Sequence, residues 1–191
     1  MDEINILNSQ LSRMRHMNNY YHKQFLFDVR LLFFATIIFY FLGSNNLTAY
    51  LIIPYISLFG SVLLAFHAHY LIFSRNYSEF LEKKINKING NDVLIAHKLE
   101  NSYLFPIQEN KIVVAKLGRE FTWFGFVTLF ITFFGISSYS FIVKLLINMK
   151  YDVNYFIFLG LLTLVTFIFG IWWFLLGNGE DKLKRIFDEY R

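Results

Sequence analysis

The fold is decided by residues 47–73, which read LTAYLIIPYISLFGSVLLAFHAHYLIF. This stretch contains no Asp, Glu, Lys or Arg, and a helix needs about 20 apolar residues to cross the hydrocarbon core of a bilayer. Three further apolar stretches qualify, at residues 25–43, 121–143 and 155–176. Because backbone groups in lipid must satisfy their hydrogen bonds internally, all four are predicted to be helices. We therefore expect an all-α integral membrane protein with four transmembrane helices.

The overall composition agrees with this expectation. Of the 191 residues, 55% are hydrophobic and only 17% are charged, whereas soluble domains carry about 25% charged residues. The chain has no cysteine, which excludes disulfides, thiol chemistry and Cys-ligated metal sites. It also lacks the H-E-x-x-H, G-x-S-x-G, Walker A and G-x-G-x-x-G motifs. We predict no enzymatic activity, no metal and no cofactor.

The distribution of Lys and Arg predicts the orientation of the chain. Residues 1–30 carry four of these bases, residues 74–120 carry eight and residues 177–191 carry four. The turn at residues 44–46 carries none, and the loop at residues 144–154 carries two. Because cytoplasmic loops are enriched in Lys and Arg, both termini and the central segment are predicted to be cytoplasmic. The expected location is a cell (inner) membrane, with the chain embedded as a multi-pass protein.

The chain is therefore predicted to alternate between polar and apolar parts. The polar parts are residues 1–24 (an amphipathic helix), residues 74–120 (a helical hairpin) and residues 177–191 (a C-terminal helix). The apolar hairpins lie between them, at residues 25–73 and 121–176. Helices leaving the bilayer are expected to extend into a small cytoplasmic helical region. No cleaved signal peptide is expected, because residues 1–24 are polar and no small-x-small site follows the first apolar run.

Three helices are predicted within residues 74–120. The first covers residues 75–89 and ends at Gly90, a residue type that commonly terminates helices. The second covers residues 93–105, with Asp92 as its N-cap. The third covers residues 108–120 and continues into the third apolar stretch.

Apolar residues recur at steps of three and four near the N-terminus, which places them on one helical face. This pattern has two interpretations. It is typical of an amphipathic helix at a surface or interface, and it is also typical of a short coiled-coil seam through which copies of the chain associate or a partner docks. The candidate oligomerisation residues are Ile4, Leu7, Leu11 and Met14.

Small and polar residues recur at steps of four within residues 47–73. Such a stripe lets two helices approach closely, and it can alternatively line a narrow pore in an oligomer. The candidate pore-lining residues are Ser57, Ser61, Ala65 and His69.

Ionisable residues near the cytoplasmic ends of the first two spans are candidates for a gate or vestibule, because such residues are rare in membranes. They are Asp28, Arg30 and His67. The more common explanation of such residues is an interfacial anchor or inter-helix tie for Asp28 and Arg30 and a hydrogen-bonded interface contact for His67. His67 and His69 are two residues apart and diverge on a helix, so they cannot chelate one ion. A haem-bearing anchor subunit would need a facing histidine from another subunit.

Bases in the central segment either face lipid headgroups or contact a cytoplasmic ligand or partner. The candidate contact residues are Lys83, Lys84, Lys87, Lys111, Lys116 and Arg119. In its layout alone, the chain looks like small bacterial membrane effectors of anti-phage systems, which pair a few spans with a small cytoplasmic sensing part. That resemblance implies disruption of the inner membrane on triggering and an anionic nucleotide or oligonucleotide as the signal.

Two functions are compatible with these patterns. The first is a homo-oligomeric membrane channel or pore-forming effector that is gated from its cytoplasmic face. The second is a non-catalytic membrane anchor or regulatory subunit for a cytoplasmic protein. The channel needs a polar lining and a symmetric oligomer, whereas the anchor needs neither.

Overall fold

The structure is a computed structural model that describes residues 3–103, 107–108, 111–112, 123–176, 185–186 and 188–189. Two long helices come first, followed by a short helix, a two-residue strand pair and two further helices. Their bounds are α1 Glu3–Gly43, α2 Leu47–Asn89, α3 Ala96–Tyr103, β1 Ile107–Gln108, β2 Lys111–Ile112, α4 Trp123–Asn148 and α5 Val153–Gly170. A π-helical turn, Ile171–Leu175, continues α5.

The predicted fold class is confirmed at the level of its helices. The described chain is all-helical except for β1 and β2, and four of its helices are long and apolar enough to cross a membrane. The prediction of a third helix over residues 108–120 is wrong where the structure describes it. Gln108 and Lys111 pair there as antiparallel strand residues, while residues 109–110 and 113–120 lie outside the described part. Bilayer insertion and the orientation of the termini stay predictions.

The chain forms two compact units. Unit 1 comprises Met1–Phe27 and Ala65–Phe133, and unit 2 comprises Asp28–Leu64 and Phe134–Arg191. Helices α1 and α2 are each continuous through the boundary.

The core of unit 1 is a seam between the N-terminal half of α1 and the C-terminal half of α2. Leu7, Leu11 and Met14 are buried there against Leu81 and Ile85. Steps of three and four residues on both helices keep these side chains on facing surfaces, as in coiled coils. Burying each large aliphatic side chain contributes about 1.5–3 kcal/mol.

The end of α2 matches one sequence prediction and corrects another. The helix ends at Asn89, and Gly90 follows with a φ of 69°, a conformation that glycine adopts without strain. The predicted helix start at residue 93 is wrong, because α3 begins at Ala96. Asp92 does not cap α3, and its carboxylate instead accepts a hydrogen bond from the Lys98 ammonium at 2.7 Å.

Unit 2 has a tight turn between α1 and α2 and a core that includes α4. The Asn46 side chain accepts a hydrogen bond from the Thr48 amide at 3.0 Å and so satisfies a donor at the start of α2. In the core, Ile53 of α2 is fully buried with Ile142 and Leu146 of α4. The sequence prediction of a tight hairpin at residues 44–46 is confirmed.

Hydroxyl groups join the helices of unit 2. The Tyr155 hydroxyl of α5 donates to the Leu51 carbonyl of α2 at 2.9 Å, close to Pro54, which has no amide to continue the helical hydrogen bonds. A second bond, 2.8 Å long, joins the Tyr139 hydroxyl of α4 to Oγ1 of Thr163 on α5. Interhelical hydrogen bonds in membranes contribute about 0.6 kcal/mol on average.

A side chain at Gly43 is expected to destabilise unit 2. A Cβ there would lie 2.3 Å from ring atoms of Tyr50, and a rigid ring cannot give way without moving its helix. We expect Gly43→Ala to lower the free energy of unfolding by about 1–3 kcal/mol. Thermal unfolding of the purified protein in detergent measures this effect. Gly135→Ala is the control, because nothing lies within 4 Å of its Cβ, and it should leave stability unchanged or increase it. Equal effects of the two substitutions would contradict the close contact.

Candidate functional site: a buried carboxylate joining three helices

The candidate site in unit 1 is centred on the carboxylate of Glu82, whose side chain is 2% exposed. One of its oxygens, Oε1, accepts a hydrogen bond from Nη2 of Arg15 at 2.9 Å. The other, Oε2, accepts from the His97 backbone amide at 3.0 Å and lies 2.9 Å from Nδ1 of the same histidine. One side chain of α2 therefore holds both α1 and α3.

The hydrophobic seam explains why these residues meet. Arg15 directly follows the seam residue Met14, and Glu82 directly follows Leu81. Residues next to a seam flank it, as charged residues do in coiled coils, so that opposite charges on two helices face one another. The long Arg15 side chain reaches inward while half of its surface stays exposed.

Glu82 also caps α3 from another helix. The first amides of a helix have no carbonyl partner within it, and His97 is the second residue of α3. A carboxylate at this end is favoured by the helix dipole as well as by the hydrogen bond. A contact between distant residues thus replaces the local Asp92 cap that the sequence predicted.

Asn86 holds the segment that precedes α3. Its side-chain amide donates to the Leu94 carbonyl at 2.8 Å, and its side-chain oxygen accepts from the Leu94 amide at 2.9 Å. Asn86 lies one helical turn after Glu82, on the same side of α2. Together the two residues fix residues 94–97 on α2 through paired polar contacts.

A second ion pair joins α2 to α3. Arg75 is 1% exposed, and its Nε lies 3.6 Å from Oε2 of Glu100, a side chain that is about one-third exposed. Burial lowers the pKa of Arg75, and the carboxylates of Glu100 and Glu79 oppose this effect. Burial likewise raises the pKa of Glu100 even though the positive charge of Arg75 acts against it. Desolvation therefore outweighs attraction in this pair.

Glu82 behaves in the opposite way. Burial alone would raise its pKa, but hydrogen bonds from Arg15 and from the amide and ring of His97 outweigh burial and keep the pKa below its ordinary value. The carboxylate therefore stays charged at neutral pH. Because both of its oxygens are engaged by protein donors, it acts as a structural tie and is not available as a base.

Three of the candidate oligomerisation residues are buried within the chain. Leu7, Leu11 and Met14 are 6%, 4% and 8% exposed, and the side chains that cover them belong to the same chain. Ile4 is half-buried. The seam is therefore occupied within one molecule, and a contact between copies through these residues stays a prediction.

The candidate pore-lining residues do not share one environment. Ser57, in unit 2, is buried at 8% exposure. Ser61 is exposed, and its hydroxyl donates to the Leu58 carbonyl at 2.7 Å. Ala65 and His69, in unit 1, are half-buried. Whether any of these residues lines a pore stays a prediction.

The candidate gate residues also differ in exposure. Asp28 is buried at 5% exposure, whereas Arg30 is exposed. His67 is half-buried, and its ring lies 6.0 Å from that of Tyr21, which stacks on Tyr70 at 4.7 Å. Within the part of the chain that the structure describes, no group of three His, Cys, Asp or Glu residues could hold a metal ion.

Three of the candidate contact bases have described side chains. Lys83 pairs with Glu79 one turn earlier on α2, and Lys84 lies 3.5 Å from Glu3 of α1. Lys87 is exposed. Lys111 belongs to β2, but its side chain lies outside the described part, as do Lys116 and Arg119.

Sequence reasoning missed the polar contacts of Glu82 with Arg15 and His97, those of Asn86, and the ion pair of Arg75. One signal was present, because Arg15 and Glu82 are opposite charges that each flank an apolar repeat. No pattern in the sequence predicted that His97 would contact Glu82, because this contact depends on the path that residues 90–95 take back to α2.

Comparison of the chain with protein-family models, with curated proteins and with solved structures finds no match.

Neutralising Glu82 is expected to destabilise unit 1. Glu82→Gln keeps the shape of the side chain but replaces an acceptor oxygen with an amide donor that faces Arg15 or the His97 amide. Charge-assisted hydrogen bonds contribute about 1.5–3 kcal/mol, and we expect a loss in this range. Chemical unfolding monitored by circular dichroism measures it. Lys83→Gln removes only the exposed end of its helical pair with Glu79, worth about 0.3–0.5 kcal/mol, and leaves the Glu79 carboxylate in place near Arg75; a comparable loss in that control would contradict the special role of Glu82.

The stability of unit 1 is expected to fall in acid through Glu82. Because the pKa of this carboxyl is lower in the folded chain, the unfolded chain binds the proton first as the pH drops through the ordinary value of 4.5. The raised pKa of Glu100 has the opposite effect on stability in acid, and it is present in both wild type and Glu82→Gln. The difference in stability between these two proteins therefore reports on Glu82. Melting temperatures from pH 7 to pH 3.5 should show the gap between wild type and Glu82→Gln closing in acid. A constant gap would contradict this assignment.

Proposed function

We propose that this protein is a non-catalytic, multi-pass membrane anchor or regulatory subunit that holds a cytoplasmic partner on its polar platform. We define the polar platform as residues 3–24 and 74–103. The observation that carries the proposal is the Glu82 cluster, which ties α1, α2 and α3 together outside the apolar stretches. Buried charges are costly, and in some proteins they are retained because they specify one arrangement of the helices; the proposal assigns that use to Glu82.

The continuity of the two long helices supports the same function. Helices α1 and α2 contain 41 and 43 residues, and each runs from the platform into an apolar stretch without interruption. A helix pair of this kind can present a binding surface away from the bilayer and transmit a displacement into it.

The proposed orientation places the platform in the cytoplasm, as the distribution of Lys and Arg predicts. The exposed bases Lys83 and Lys87 lie on the platform, beside acids such as Glu79. This mixture of charges favours a folded protein partner over a nucleotide or oligonucleotide, which would need a more uniformly basic surface.

A homo-oligomeric channel or pore-forming effector, including a defence-type effector of the inner membrane, is the second candidate. One observation favours it, because Ser61, Ala65 and His69 all keep some exposed surface on α2 and can face another copy. Against it, Leu7, Leu11 and Met14 pack within one chain, which leaves less apolar surface of α1 for assembling such an oligomer.

Native mass spectrometry of the protein, gently extracted from membranes of its own cells, tests the proposal. We expect a complex of fixed stoichiometry with a second protein, and Glu82→Gln should reduce its yield by about tenfold. Asp152→Asn, which neutralises an acid outside the platform and keeps a side chain able to cap α5, should retain it. A homo-oligomer of three or more subunits without another protein, together with ion flux through liposomes, would contradict the anchor and establish the channel. A bound haem mass would identify a haem-bearing anchor instead.

A further inference from the structure

Two hydroxyl groups in unit 2 are buried, and no hydrogen-bond partner for either is found among the described residues. Thr36 of α1 is 5% exposed and Ser57 of α2 is 8% exposed. Other hydroxyls in the apolar helices donate to carbonyls of their own helix, as Ser61 does to Leu58 and Thr132 does to Thr128. A buried hydroxyl that makes no hydrogen bond carries a free-energy penalty, and native structures satisfy most such groups through protein atoms or ordered water.

The two hydroxyls lie at one level of the contact between α1 and α2. Leu32 packs so closely on Gly60 that a Cβ added to the glycine would lie 1.8 Å from Cδ1 of the leucine. Thr36 follows Leu32 by four residues, and Ser57 precedes Gly60 by three, which is about one turn on each helix. Because the helices are antiparallel, both steps lead in the same direction. One turn further, Phe39 packs on the core cluster that contains Ile53.

The residue types at this level suit a small polar ligand. Ser57 and Gly60 carry little side-chain volume, so the helices can approach without filling the space between them with carbon. A buried water makes about two to four hydrogen bonds to polar partners, and the two hydroxyls supply two of them. A bridging water provides hydrogen bonds nearly as favourable as a direct contact.

We propose that Thr36 and Ser57 together bind one buried water molecule between α1 and α2. The water accepts a hydrogen bond from one hydroxyl and donates to the other, so that both groups are satisfied within an apolar surrounding. The inference does not depend on the proposed function. It assigns Ser57 to a site inside a single chain, in contrast to the pore lining that its spacing first suggested.

A double-mutant cycle in the full-length protein tests this assignment. Thr36→Val keeps the shape of the side chain and removes its hydroxyl, and Ser57→Ala does the same at the second position. If the two share a water, either substitution leaves the other hydroxyl without its partner, and we expect the melting temperature in detergent to fall by about 2–4 °C. The double variant should recover most of this loss, because removing both partners leaves a dry apolar contact.

The control is Thr132→Val, at an exposed position of α4 where the hydroxyl donates to its own helix. Additive effects of the two substitutions would overturn the proposal. A rise in melting temperature in either single variant would also overturn it, because removing a buried hydroxyl that has no hydrogen-bond partner is expected to stabilise the fold. Should a single variant fail to fold, recovery of folded protein in the double variant supports the shared water, and its failure contradicts it.

Discussion

The packing of α1 on α2 along a shared apolar seam is the contact on which the other features of unit 1 depend. It buries Leu7, Leu11 and Met14 against Leu81 and Ile85, and it thereby sets which residues flank the seam. Arg15 and Glu82 face one another only because their neighbours do. Once Glu82 is buried beside Arg15, its remaining oxygen can accept the amide and ring of His97 and hold α3. A hydrophobic repeat therefore determines the location of a polar cluster.

Charge burial in unit 1 has two different outcomes. Glu82 receives hydrogen bonds from several donors, so its charged form is favoured despite burial. Arg75 and Glu100 are separated by 3.6 Å, and desolvation shifts both toward their neutral forms. The number and geometry of the donors decide between these outcomes, since pairing alone does not offset the loss of water. Replacing Glu82 therefore disturbs the structure of the platform while leaving the charges on its surface in place.

Unit 2 relies on small residues and hydroxyls. Gly43 admits the ring of Tyr50, and the Tyr155 hydroxyl bonds to the Leu51 carbonyl of α2. Such contacts suit an apolar surrounding, where close packing and internal hydrogen bonds replace the hydrophobic driving force between helices. The buried hydroxyls of Thr36 and Ser57 belong to the same pattern, with water as the proposed third partner.

The sequence by itself determined the four apolar helices, the hairpin at residues 44–46 and the end of α2 before Gly90. Each of these depends on local properties, namely the length of an apolar run, turn residues and the conformational freedom of glycine. The tertiary structure alone decided that the seam of Leu7, Leu11 and Met14 closes within one chain, that Glu82 rather than Asp92 caps α3, and that residues 107–108 and 111–112 pair as strands. An apolar repeat shows which face of a helix is buried, but it does not identify the surface that covers it, because the hydrophobic effect has no direction.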